Sequence, residues 1–230
     1  MRITIGSIRL ALAALMLVAI AATYAETAGR TGAAPNPFNF FGYFTIQSNL
    51  MGIAVLAASG ALLLRRRRGP GWFPYARGAV VGYLAVVGLV YAVLLAPLGA
   101  EGGVPVAWAN TVLHIVSPLA LPLDWLLVAD RPALAWRRLW VVLLYPAVWL
   151  LVVLVRGATN GWVPYPFLAP ENGAGSIAVV CLGIALAVLV AGALATWLSR
   201  VRLLLAGTAD TMESRPGAAD AREAQGGAAA

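Results

Sequence analysis

Six predominantly apolar runs, at roughly 7–25, 41–64, 77–97, 107–128, 138–156 and 175–199, dominate the 230-residue chain. Each is long enough to cross about 30 Å of hydrocarbon as a helix rising about 1.5 Å per residue. A bilayer core offers backbone amides no water, so spanning segments must be helices or a closed barrel. No stretch alternates apolar with polar residues as barrel strands do. The expected fold is therefore all-α: a polytopic membrane protein with a six-transmembrane-helix bundle over residues 1–203 and a tail over 204–230. Composition agrees, with 61% apolar and 11% charged residues against about 25% charged in ordinary soluble domains. A water-soluble fold is excluded.

The formal net charge of +7 comes from sixteen arginines against nine acids. Arg2, Arg9, Arg65 to Arg68, Arg77, Arg131, Arg137, Arg138, Arg200, Arg202, Arg215 and Arg222 fall on one side of the predicted bundle. Only Arg30 and Arg156 fall on the other. By the positive-inside rule both termini are expected in the cytoplasm and the bundle in the plasma membrane. The Arg65–Arg68 run then faces anionic lipid headgroups, and no nucleic-acid partner is expected. The first run also resembles a secretory signal, with Thr23-Tyr24-Ala25 as a cleavage site; retention gives the even span count that places both ends inside. The tail mixes small residues with charges of both signs and lacks aromatics, so it is expected to be disordered. Cys181 is the sole cysteine, which leaves no disulfide or Cys-rich metal site; neither a metal nor a cofactor is expected.

Polar groups at membrane depth usually face the bundle interior, and two helices hold nearly all of them. In helix 2, Thr45, Ser48, Asn49 and Gly52 share a face by their i, i+3, i+4, i+7 spacing, while Gln47 points elsewhere. Helix 4 carries Asn110, Thr111, His114 and Ser117 as a second stripe. Trp108 marks the outer interface of helix 4, which puts His114 roughly 9 Å inward, a depth comparable to Thr45. His114 is the sole histidine, and a histidine is the usual base for a hydroxyl nucleophile. The competing reading is interhelical hydrogen bonding alone, at about 0.6–2 kcal/mol per bond. Asp124 lies about 15 Å beyond His114 along the helix, too far to orient it, and is expected to pair with Arg131, Arg137 or Arg138. Pro118 and Pro122 are expected to kink helix 4, and Gly78 and Gly82 to form a small-residue helix contact. On the outer side, Arg156 precedes Gly161-Trp162-Val163-Pro164-Tyr165-Pro166-Phe167-Leu168. This aromatic loop is either an interfacial anchor or a lid over Thr45 and His114. As a lid, Trp162 and Tyr165 would cover the site and Arg156 would offer its fork to a substrate carboxylate or phosphate, unless it pairs with Glu171.

Phe44-Thr45, Trp108-Ala-Asn110 with His114 and Pro118, Asp124, Gly161-Trp162-Val163 and Tyr165-Pro166-Phe167-Leu168 occur together over residues 40–190. In this order, and with six spans, the chain resembles the family of androgen-induced and androgen-dependent TFPI-regulating (ADTRP) membrane proteins and their bacterial six-helix relatives. The resemblance implies a threonine hydrolase that cleaves fatty acid esters of hydroxy fatty acids, with Thr45 as nucleophile and His114 as base.

Two functions follow as expectations. The first is an intramembrane hydrolase acting on a lipid ester that enters laterally, with Ser48, Asn49 or Asn110 donating to the oxyanion at about 2.7–4 kcal/mol per donor. The alternative is a non-enzymatic membrane protein, either a small-solute or proton-coupled carrier or a lipid-binding scaffold, whose polar stripes line a path or a seam. A carrier needs access from both faces, and the inner halves of helices 2 and 4 offer only Asp124.

Overall fold

The computed structural model describes residues 1–201 and 203, and among them there is helix and no strand. The tail from residue 204 and Arg202 lie outside the described residues. Six helices are long and apolar enough to cross a membrane: α1 (Arg2–Thr31), α2 (Phe44–Leu64), α3 (Phe73–Gly99), α4 (Ala107–Leu127), α5 (Trp136–Asn160) and α6 (Pro170–Leu198). The chain is a multi-pass membrane protein. Its span centres match the apolar runs, while several ends shift by up to six residues, two of them for evident local reasons. Helix α1 extends to 30 residues because Gly32, in the left-handed region at φ 68°, is the first residue to stop it. Helix α2 starts at Phe44 rather than 41, because Asn36 caps a separate turn of helix at Pro37–Phe40 and Tyr43 is extended.

Helix α1 packs along α2, and α3 sits centrally against α2, α4 and α6. Glycines permit the closest approaches. A Cβ on Gly60 would lie 3.0 Å from the Gly6 carbonyl oxygen. Over Gly52, Met16 of α1 and Leu84 of α3 meet, and a Cβ there would stand 2.9–3.0 Å from both. Of the expected small-residue pair, Gly82 faces the backbone of Ala191 and Gly192 on α6, and Gly78 faces Leu134 and Trp125. Met16, Leu84, Leu113, Trp125 and Val188 are fully buried at the centre. Helix α5 touches α6 mainly through its first turns, Trp136–Leu143, which are 3-10 helix. Beyond Leu143 the two helices part.

At the arginine-rich end four charged side chains close a ring. Arg9 of α1 bonds Asp124 through Nε at 2.9 Å and also bonds Asp130. Arg77 of α3 bonds the other oxygen of each carboxylate, at 3.3 Å to Asp124 and 2.9 Å to Asp130. Asp124 therefore pairs with Arg9 and Arg77, not with Arg131, Arg137 or Arg138 as its position near the loop suggested. The reason is position: Arg9 of α1 and Arg77 of α3, 1% and 6% exposed, converge on the two carboxylates, whereas Arg131, equally buried at 5%, finds its partners elsewhere. Arg131 instead lies over the Trp125 ring at 4.1 Å and donates to the carbonyls of Val128 and Leu198. Trp125 Nε1 donates to Ala195 O at 2.8 Å.

Burial pushes the Asp130 carboxyl up, but Arg77 and Arg9 outweigh it and hold the group at about 2, below its ordinary 3.8. A depressed carboxylate contributes stability above its unfolded value that is lost as pH falls through the folded one. Detergent-solubilised protein is expected to melt progressively lower as pH drops from 3.8 towards 2. Asp130→Ala, which leaves two buried guanidiniums sharing one carboxylate, should cost about 3–5 kcal/mol near neutral pH and flatten that acid dependence. An unchanged melting curve for the variant would show that the ring contributes nothing to the fold.

Candidate functional site

The polar stripes lie at the end of the bundle opposite the arginine-rich ring. First-turn N–H groups of a helix have no intrahelical partner, and at the start of α2 one of them finds a tyrosine. Thr45 N donates to the Tyr165 hydroxyl at 3.2 Å, and Thr45 Oγ1 lies 3.4 Å from the same oxygen. Tyr165 comes from the loop between α5 and α6, where Pro164 and Pro166 hold the chain out of regular helix. Its ring stacks on Phe167 at 5.1 Å and contacts Tyr43 and Trp149 at 5.7 and 6.0 Å. Burial pushes the Tyr165 phenol up, against the opposing hydrogen bonds from Thr45. It stays neutral and keeps a proton to donate.

The two stripes meet at Asn49. Its amide nitrogen donates to Thr45 O at 2.9 Å and to Leu113 O at 3.1 Å, and its oxygen accepts from Ser117 Oγ at 2.6 Å. Gln47 faces away, donating to Phe41 O and accepting from Tyr145 of α5. Ser48 Oγ is buried without a partner.

Helix α4, in which Pro118 and Pro122 were expected to produce a kink, departs from regular α-helix just ahead of Pro118. It contains a π turn over Val112–Val116, closed by Ser117 N–H to Val112 O, and α-helix resumes at Ser117. Helix α3 carries a matching π turn at Tyr91–Leu95, closed by Ala96 N–H to Tyr91 O, ahead of Pro97. Such turns recur at functional sites. Here they set His114 against Tyr91, with ring centroids 4.4 Å apart and planes 24° apart. His114 Nδ1 is 3.3 Å from Asn110 O; a carbonyl only accepts, so Nδ1 carries the proton and Nε2 is the basic nitrogen. Asn110 also donates to the Tyr91 hydroxyl at 2.7 Å and accepts from Val104 N. A Cβ on Gly88 would stand 2.8 Å from Pro118, so a glycine is what lets α3 reach the π turn of α4.

Where α5 and α6 part, an apolar cavity of about 250 Å³ opens. Val86, Val87 and Val90 of α3, Pro146 and Leu150 of α5, and Ile184 of α6 line it. Thr45, Tyr165, Trp149 and Cys181 are the lining residues whose side chains carry a heteroatom. This geometry revises several assignments made from spacing. Thr45 and His114 are both buried near the α2–α4 contact, but no hydrogen bond joins them among the described residues; Thr45 is engaged by Tyr165 and His114 by Asn110 and Tyr91. Asn49 and Asn110 are not free oxyanion donors, because their amides are engaged in holding backbone and Tyr91, and neither they nor Ser48 line the cavity. Arg156 donates to Phe38 O at 2.9 Å and Asn39 Oδ1 at 2.6 Å and lies over Trp162 at 3.9 Å; it does not pair with Glu171 and it lines a separate cleft. Trp162 belongs to that cleft, and Tyr165 alone of the two expected lid aromatics reaches Thr45.

Sequence reasoning missed Tyr91 and Trp149. Pro97 in α3 and Pro118 in α4, each two residues past the end of a π turn, were the available signal for the first. Nothing in the pattern singled out Trp149 among eight tryptophans.

Because Asn49 satisfies three separate polar groups, Asn49→Leu should cost about 1–3 kcal/mol for each group left buried and unpaired. Tyr165→Phe keeps the ring packing and orphans one amide, so its loss should be smaller. Thermal unfolding of the two variants checks the order, and a wild-type-like Asn49→Leu would show that the stripes are not tied through this residue. No protein-family model, curated protein or solved structure matches the chain.

Proposed function

We propose that this protein is an intramembrane lipid-ester hydrolase that draws a substrate acyl chain sideways from the bilayer into the cavity between α5 and α6. The observation that carries the reading is the cavity itself: almost wholly apolar, between helices long enough to span a membrane, with Thr45 and Tyr165, whose hydroxyls lie 3.4 Å apart, among its lining residues. A site of this kind fits a hydrocarbon chain along its length and an ester at the hydroxyl pair. The resemblance to ADTRP proteins, resting on Thr45, His114 and the Gly161–Leu168 loop, supports the same reading.

In this mechanism Thr45 Oγ1 attacks the ester carbonyl and its proton passes to His114 Nε2, through a water or after the imidazole turns from Tyr91. Tyr165 donates to the carbonyl oxygen as negative charge develops there. The C–O bond to the alcohol breaks and His114 returns the proton to the leaving alkoxide. Water, deprotonated by His114, then attacks the acyl-threonine and releases the fatty acid. Because the arginine bias puts the opposite end of the bundle in the cytoplasm, both termini would lie inside a plasma-membrane protein and the substrate would come from the outer leaflet. Arg65 to Arg68 would face anionic headgroups of the inner leaflet.

The missing hydrogen bond between Thr45 and His114 favours a second reading, a lipid-binding scaffold with the same cavity and no turnover. Labelling purified protein with a serine-hydrolase-type fluorophosphonate and locating the adduct by mass spectrometry decides between them. For a hydrolase the adduct falls on Thr45, Thr45→Ala abolishes it, and His114→Ala slows it by about 10²–10⁴-fold, with both variants still inserted. Co-purifying lipid without any adduct would leave the scaffold.

A further inference from the structure

The second opening at this end of the bundle is chemically unlike the first. A cleft of about 580 Å³ is lined by Gln47, Trp149, Arg156, Asn160, Trp162 and Phe41. Arg156 is one of two arginines on the arginine-poor side of the chain, and among the described residues no carboxylate pairs with it. Its two hydrogen bonds, to Phe38 O and Asn39 Oδ1, and its stacking on Trp162 hold the guanidinium in place. A guanidinium has five N–H donors, so most of them remain available. Among the described residues Asn160 uses only its oxygen, accepting from Trp162 N, and its amide hydrogens have no partner. A fixed, uncompensated cation with spare donors beside interfacial tryptophans suits an oxyanion whose remaining surface is apolar.

Trp149 is the wall common to this cleft and the apolar cavity. Its Nε1 donates to Gly42 O at 2.9 Å, which fixes the indole. Its ring lies 5.2 Å from Phe44 and 6.0 Å from Tyr165, level with Thr45. From Trp149 to Arg156 is seven residues, about 10 Å along the helix axis. We propose that the Arg156 cleft receives the anionic head of an amphiphile whose chain occupies the cavity on the other side of Trp149. This rests on the lipid-ester reading above and narrows its substrate to an ester that carries a negatively charged head. A carboxylate of a fatty acid derivative and a phosphate of a glycerophospholipid share that chemistry.

The test measures binding to full-length protein by native mass spectrometry, with two pairs of probes that differ in head charge: oleate against methyl oleate, and dioleoyl phosphatidate against dioleoylglycerol. The charged member of at least one pair should bind about tenfold or more tightly than its neutral partner. Preference in the first pair alone identifies a carboxylate, in the second alone a phosphate, and in both a general oxyanion site. Arg156→Gln should erase the preference while leaving the neutral probes unchanged, and Arg156→Lys should restore part of it. Equal binding of charged and neutral probes by the wild-type protein overturns the proposal without recourse to any variant, as does a preference that survives Arg156→Gln in folded protein. Fluorophosphonate labelling reports separately on Thr45, so a charge preference without labelling sinks the hydrolase alone, and labelling without a charge preference sinks the headgroup site alone.

Discussion

Two guanidiniums almost wholly removed from water, and the two part-buried carboxylates that bond them, set the constraint on which the register of this bundle depends. Removing an ion from water costs several kcal/mol even after relaxation, so Arg9, Arg77, Asp124 and Asp130 are tolerable where they are only as a closed set. Each arginine spans both acids and each acid both arginines. The net effect on stability need not be large, because a well-packed apolar substitute often serves as well. What the ring supplies is register: α1, α3, the end of α4 and the following loop must stand at fixed heights for four side chains to converge. Sliding any one by a turn would strand a charge.

With that end locked, the opposite end can depart from regular helix. Prolines 97 and 118 remove hydrogen bonds from α3 and α4, and both helices respond with π turns that face each other through Tyr91 and His114. The freed geometry is then re-tied by Asn49, which holds carbonyls of α2 and α4 and the Ser117 hydroxyl at once. Polar side chains here do what backbone hydrogen bonds do elsewhere. Tyr165 extends the same economy by capping the start of α2 from a loop far away in sequence.

How much of this is legible in the chain depends on whether a feature is periodic. Six spans and two polar stripes are periodic, and the burial of Thr45, Ser48, Asn49, His114 and Ser117 follows from them. The ring is not. Counting arginines by side treats Arg2 and Arg9 alike, although only position in the fold tells an arginine facing headgroups from one that meets an acid. Asp130, outside every apolar run, carries no such mark. Arg156 stands out in the sequence by its side alone, because spacing shows neither the Phe38–Asn39 turn that captures it nor the indole between it and the cavity. The cavity itself is invisible for a different reason: Leu, Val and Ala facing lipid, facing each other and facing a void have the same letters.

Helices α5 and α6 bury only 11% of their spans, against 44% for α2 and α3. On the side where they part, no side chain among the described residues closes the gap, so in a bilayer the surrounding acyl chains form the remaining wall. Bilayer thickness and unsaturation thereby become determinants of the site's shape, and a micelle is not an inert container for it. Detergent alkyl chains would enter the seam as competitors, so affinities obtained after solubilisation contain the work of evicting them.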